Sequence, residues 1–192
     1  MFTRNVLRIL PLVLAALSMA ANAVPKPEKP LNERLLARLD DCGEVSESVA
    51  FLQAYSPSFE NHFYGDDAAS MEGLITNQDY ISEGDVGHVF SAQVGVTIPL
   101  YGLWSNGRLD SFYTTSKSEA DNAVDKLGYT AYGTVAFVYQ DQNCGSIPLY
   151  RMYSPTATDH FYTTSESERD NAITNLGYVD EGIQCYVLPT DD

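Results

Sequence analysis

The strongest constraint in this chain is a repeat. The segment from Ile147-Pro148-Leu149-Tyr150 to Val187 restates Ile98-Pro99-Leu100-Tyr101 to Val138 at a spacing of 49 residues, without a gap. A more diverged copy runs from Val49 to Val89. It keeps Tyr55-Ser56, Phe63-Tyr64, Tyr80, Gly84 and Val89 in register with Tyr153-Ser154, Phe161-Tyr162, Tyr178, Gly182 and Val187. A unit this short cannot bury its own apolar face, so the copies must pack on one another. Three units of this length, about 140 residues together, suit one closed domain better than an open solenoid. The expected domain is 49–189, divided into units 49–97, 98–146 and 147–189.

The third unit shows the local plan most clearly. Pro148 to Tyr153 alternates and reads as a strand, Ser154-Pro155-Thr156-Ala157-Thr158 as a turn, and Asp159 to Thr164 as a second strand. Ser165-Glu166-Ser167-Glu168 is a capping box, in which the serine oxygen and the glutamate each satisfy an unpaired donor of the first helical turn. The helix continues through Ala172, Ile173 and Leu176, and Gly177 is placed to end it. Tyr178 to Val187, broken by Gly182, gives a long bent strand or a hairpin. Unit two repeats this with Ser116, Glu119 and Gly128. Unit one has Asp67 and Ser70 in the box and Asp79 at the stop, which predicts the weakest helix.

Each unit is therefore ββαβ, and the class is β-rich α+β. Closure about a pseudo-threefold axis, β-trefoil-like, would hide every unit's edge against the next. On the first strand Tyr150, Tyr101 and Leu52, with Met152, Leu103 and Ala54, read as inward. Arg151, Gly102 and Gln53 differ freely and read as outward. Phe63, Phe112 and Phe161, with Tyr80, Tyr129 and Tyr178, read as core; Tyr64, Tyr113 and Tyr162 lie on the opposite face of their strand from the phenylalanines.

The N-terminal residues read as an export signal over 1–23: Arg4 and Arg8, an apolar run from Ile9 to Ala20, then the small-x-small site Ala21-Asn22-Ala23. The run is shorter than the roughly 20 apolar residues that span a bilayer. Residues 24–48 follow as a Pro/Lys-rich linker and a short helix with Leu31, Leu35, Leu36 and Leu39 at helical spacing. The expected location is extracellular or wall-associated, the expected state a monomer free of membrane once the signal is cleaved. A formal net charge of −15 with no basic patch argues against nucleic acid as a partner.

Cys42, Cys144 and Cys185 allow three pairings, and in an oxidising compartment one disulfide and one thiol is the simplest count. Cys42-Gly43 and Cys144-Gly145 both lie just ahead of a unit, which favours Cys42–Cys144. Cys185 stands where the other units carry Ala136 and Gly87, as a buried small residue would. No zinc spacing, EF-hand loop or nucleophile elbow is present, so no metal, cofactor or catalytic residue is expected.

The string Pro148-Leu149-Tyr150-Arg151-x-Tyr153, then Asp159-His160-Phe161-Tyr162-Thr163-Thr164, Leu176-Gly177-Tyr178 and Glu181-Gly182-Ile183 resembles the repeat known as domain of unknown function 5648. The resemblance covers about residues 49–188. The second unit departs at Ser111 and Gly102, and the first across its helix. That family occurs in secreted fungal and bacterial proteins, sometimes beside wall-degrading enzymes. The resemblance implies export and a glycan-facing setting, not a mechanism.

All 13 tyrosines fall in the repeats, and aromatic rings with polar tips suit sugar stacking. The ring series Tyr55, Trp104 and Tyr153, with Asn61, Asp110 and Asp159 and with His62 and His160 across the turn, is the expected ligand surface. Tyr153, Asp159 and His160 form its strongest member. The expected role is a lectin-like, non-catalytic module for wall or extracellular polysaccharide. A secreted protein-binding module, such as an inhibitor acting through the unique loop Asp141–Ser146, is the alternative. A glycan hydrolase is the third, since Glu83, Glu181, Asp110 and Asp159 are available but unpaired at any diagnostic spacing.

Overall fold

A computed structural model of the chain describes Pro30 and residues 41–190. The expected signal segment, the linker apart from Pro30, and the helix at Leu31–Leu39 lie outside the described residues. Among the described residues, no helix is long and apolar enough to cross a membrane.

The three expected units appear in order as β1 (Val49–Ser56), β2 (Asn61–Gly65), α1 (Ala68–Asn77) and β3 (Ile81–Val89); β4 (Ile98–Ser105), β5 (Asp110–Thr114), α2 (Lys117–Leu127) and β6 (Thr130–Val138); β7 (Ile147–Ser154), β8 (Asp159–Thr163), α3 (Glu166–Asn175) and β9 (Val179–Val187). Each unit is a separate three-stranded antiparallel sheet with the first strand central: β2-β1-β3, β5-β4-β6 and β8-β7-β9. The long third strand bends at a register shift near Gly84, Gly133 and Gly182, whose φ values of 90°, 112° and 85° only glycine adopts at little cost.

The helices start as the sequence predicts, with one refinement. Ser165 Oγ accepts from Glu168 N at 3.3 Å, but Glu168 does not reach back to the Ser165 amide. Thr163 Oγ1 accepts from that amide instead, at 3.0 Å, and donates its own hydrogen bond to Glu168 Oε2. Thr114 relays Glu119 to Ser116 in the same way. Gly65 holds that position in unit one, where Asp67 caps Ala69 N directly at 3.0 Å. Gly128 and Gly177 take the left-handed conformation after the helix, and Asp79 adopts it too (φ 60°), so α1 keeps ten residues, as α3 does.

Each sheet uses both faces. One packs on its own helix: Tyr150 and Met152 with Ala172; Leu103 and Phe112 with Ala120, Ala123 and Tyr129; Ala54 with Met71 and Tyr80. The other face, where Arg151, Gly102 and Gln53 read as outward, is the face on which the units meet. Gln53 and Gly102 are buried and Arg151 is nearly so. The expectation fails because one helix covers only one side of a sheet, and the opposite side carries Leu149, Leu100 and Phe51. These pack in one shared core with Tyr64, Tyr113, Tyr162, Val89, Val138, Val187, Ala136 and the free thiol of Cys185. Burial pushes that thiol far above its ordinary range, so it stays protonated and inert.

Three buried tyrosines join the units at this core. Tyr113 Oη accepts from Tyr64 N and donates to Tyr64 O, both at 2.9 Å. Tyr162 Oη does the same to Tyr113 N and O at 2.8 Å, and Tyr64 Oη to Tyr162 N and O at 2.9 Å. Their rings meet edge to face at 5.2–5.6 Å. Reciprocal backbone pairs His88–Leu188, Phe90–Phe137 and Tyr139–Tyr186 join the ends of the third strands. The disulfide is Cys42–Cys144, as favoured, across a sequence separation of 102. It packs beside Phe90, Tyr139 and Leu188, and Tyr139 Oη donates to Cys42 O.

Tyr113→Phe removes a hydroxyl that serves both a buried N–H and a buried C=O. It should cost about 1–3 kcal/mol for each group left unpaired, read as a lower urea midpoint at unchanged m-value.

Candidate functional site

The first residue of each hairpin's second strand reaches across to the following unit. Asp110 Oδ1 accepts from His160 N at 2.9 Å, while Oδ2 accepts from His160 Nδ1 at 2.7 Å and from the Tyr129 hydroxyl. Asp159 makes the same set with His62 N (2.8 Å), His62 Nδ1 (2.6 Å) and Tyr178 Oη (2.6 Å). Asn61 Oδ1 accepts from Ser111 N at 2.8 Å, and its amide nitrogen donates to Tyr80 Oη at 2.8 Å. A buried carboxylate needs several donors, and these supply them. Burial and the adjoining carboxylates push the Tyr129 and Tyr178 phenols far up, so they remain donors.

Because the carboxylate can only accept, Nδ1 of each imidazole carries the hydrogen and Nε2 is turned away from it. The His160 ring is held between Tyr153 and Phe112, and the His62 ring between Tyr55 and Phe161, with every centroid separation 4.7 Å.

Nε2 lines a cleft at each of these junctions. Between units two and three, a cleft of about 180 Å³ has Phe112, Ala123 and Leu127 as its apolar wall and Glu119, Asn122, Arg151, His160 and Glu181 as its polar wall. Between units three and one, about 210 Å³ is enclosed by the repeat equivalents: Phe161, Ala172 and Leu176 facing Glu168, Asn171, Gln53, His62 and Glu83. The junction of units one and two differs. Tyr132 stands in Glu181's position and its ring occupies the space over Gly102, where an added Cβ would meet it at 2.5 Å. The ring divides the junction into an aromatic slot of about 110 Å³, lined by Trp104, Tyr132, Phe63, Tyr80, Leu74 and Ser111 among others, and a cleft of about 230 Å³ between Asp66, Asp67 and Ser70 on one side and Tyr132 and Val135 on the other.

Arg151 organises the first cleft. Its Nη1 donates to Gln184 Oε1 at 2.7 Å and to Glu119 Oε2 at 3.1 Å, and Nη2 donates to Glu119 Oε1 at 3.0 Å. Its Nε lies 2.8 Å from Glu181 Oε2 but off the N–H axis, so that contact is electrostatic rather than a hydrogen bond. The guanidinium also lies 5.3 Å over the Phe112 ring. Burial alone would raise the Glu119 carboxyl; hydrogen bonds from Arg151 and Thr114 and the guanidinium charge outweigh it and hold Glu119 below the usual range.

The expected ligand residues divide into two sets. Asn61, Asp110 and Asp159 are fully buried and committed to the clasp between units, so no side-chain oxygen of theirs faces solvent. His62 and His160 serve different clefts and present one nitrogen each. Tyr55, Trp104 and Tyr153 are half-buried; Trp104 reaches a cleft because Ser111 leaves it no imidazole to cover. Arg151, Glu119 and Gln53 were not expected at a ligand surface, and Glu181 and Glu83 only as carboxylates of the hydrolase alternative. One trace in the sequence was the varied series Gln53/Gly102/Arg151 at equivalent strand positions.

The family model for the domain of unknown function DUF5648 matches residues 50–188, and the chain belongs to that family. No curated protein and no solved structure matches the chain.

Because the folded Glu119 carboxyl titrates below its unfolded value, its pairing contributes stability above about pH 4.3 that is lost as pH falls through the folded value. Arg151→Met removes the main lowering partner. The variant should be less stable than wild type near neutrality, and the two denaturation midpoints should converge below about pH 3.

Proposed function

We propose that this member of the family is an exported, non-catalytic carbohydrate-binding module for cell-wall or extracellular polysaccharide. Its three units close about a pseudo-threefold axis in a trefoil-like arrangement, and the junctions supply its binding surface. The observation that carries the reading is one cleft built twice from the same repeat positions, an apolar wall opposite a row of hydrogen-bonding side chains. A pyranose offers the matching pair of surfaces. Both clefts are smaller than the roughly 300–1,000 Å³ of drug-sized pockets, which suits a single ring of a polymer. Weak sites repeated on one scaffold gain by avidity. The Cys42–Cys144 bridge is at home in an oxidising compartment and supports export.

The cleft between units two and three favours binding over hydrolysis. A glycosidase needs one carboxyl with a raised pKa, whereas Arg151 sits against both Glu119 and Glu181 and holds Glu119 down. One observation favours the protein-binding alternative: the loop Asp141–Ser146 is pinned by the disulfide and by Ser146 Oγ donating to Asn143 O at 2.6 Å.

The test is retention of the mature chain on insoluble chitin, β-glucan, cellulose and peptidoglycan, with free sugar assayed in the same tubes. Retention without release is expected. Leu127 and Leu176 are exposed on the two clefts, and Leu127→Ala with Leu176→Ala should weaken retention about tenfold at unchanged Tm. Sugar release would make the protein an enzyme. No retention on any polymer would turn the assignment to a protein partner.

A further inference from the structure

The two histidine clefts share a pairing of acceptors that polysaccharide hydroxyls do not fully meet. His62 Nε2 lies 3.8 Å from Glu83 Oε2, and His160 Nε2 lies 3.7 Å from Glu181 Oε2. With Nδ1–H given to a buried aspartate, neutral imidazole offers Nε2 as an acceptor, and the carboxylate oxygen is an acceptor as well. Two acceptors at this separation are bridged by a group that brings at least two hydrogens. A sugar hydroxyl brings one. A primary ammonium brings three, and with ordinary hydrogen-bond lengths of about 2.8–3.0 Å it reaches both atoms.

The clefts differ in what already opposes the carboxylate. In the cleft between units two and three, Glu181 is met by the Arg151 guanidinium. In the cleft between units three and one, Gln53 takes Arg151's place and donates to Glu83 Oε2 at 2.7 Å, a neutral partner. Neither lysine nor arginine lines that cleft, while Glu168 adds a second carboxylate and Phe161 and Leu176 form its apolar side.

We infer that the cleft between units three and one takes a primary ammonium, the unacylated amino group of an amino sugar within a polymer. The ammonium donates to His62 Nε2 and Glu83 Oε2, and the sugar ring lies against Phe161 and Leu176. The cleft between units two and three, which already holds a guanidinium, takes neutral sugar. The inference rests on the carbohydrate-binding reading above.

Calorimetric titration of the full mature chain with tetramers of glucosamine, N-acetylglucosamine and glucose tests it. Wild type should prefer the glucosamine tetramer by about tenfold. Glu83→Gln and Gln53→Arg, the second copying the other cleft, should each shrink that preference to about twofold. Equal wild-type affinity for all three tetramers overturns the ammonium site and leaves carbohydrate binding standing. A preference undiminished in both variants assigns it to the chain's overall negative charge and also overturns the site. Failure of every tetramer to bind defeats the underlying reading.

Discussion

The hydrogen-bonded cycle of Tyr64, Tyr113 and Tyr162 is the interaction on which the rest depends. A phenol is one of few side chains that can accept and donate at one atom, and each of these does both to a single neighbouring residue's backbone. The residue served is itself the next tyrosine, so the cycle returns to its start only if all three are present. Burial pushes all three phenols well above their ordinary range, which keeps the donating hydrogen in place. The cycle also sets the position of everything two residues earlier on the same strands: His62, Ser111 and His160. The clasps made by Asp159, Asn61 and Asp110, and hence the clefts, follow from that spacing.

One scaffold position therefore carries different chemistry at each junction. Where the strand offers an imidazole, the residue across is a carboxylate that takes the ring hydrogen and the backbone amide together. Where it offers Ser111, an amide suffices, because Asn61 both accepts from the serine N–H and donates to its hydroxyl at 3.3 Å. Gly102 and Tyr132 form a second coupled pair, since any side chain at Gly102 would collide with the ring. Arg151 and Glu181 occupy the same two places in the next unit and trade an aromatic contact for a charged one. The units thus differ in coupled pairs, some across a junction, as Asn61 with Ser111, and some within one unit, as Gly102 with Tyr132.

Much of the architecture was legible because it is local or periodic. The period itself, the cap serines, Gly128 and Gly177, the bend at Gly182 and the small residue at Cys185 each follow from a rule about neighbouring residues, and the structure has them all. The faces of the first strand were also separated correctly. What covers each face was not legible, because a period of two marks that two sides exist and not which neighbour lies on either. Arg151 was misplaced for that reason. Asp110 and Asp159 read as surface carboxylates because a buried charge is betrayed only by its partners, and His160 and His62 lie 50 and 97 residues away. The Thr163 relay escaped notice because it replaces one arm of a familiar motif with a residue outside it.

Assembly and the chemistry of the clefts are joined at the same atoms. Asp110 and Asp159 hold adjacent units together through backbone amides, and with the same carboxylates they fix which imidazole nitrogen faces the cleft. A group seated there would touch side chains of two units at once, Glu119 or Glu168 from one and Glu181 or Glu83 from the next. Any group that binds only this arrangement stabilises the contact between units by mass action. The clefts are therefore not additions to a finished fold. They are what remains where neighbouring sheets meet over a clasp that has already used one side of each histidine.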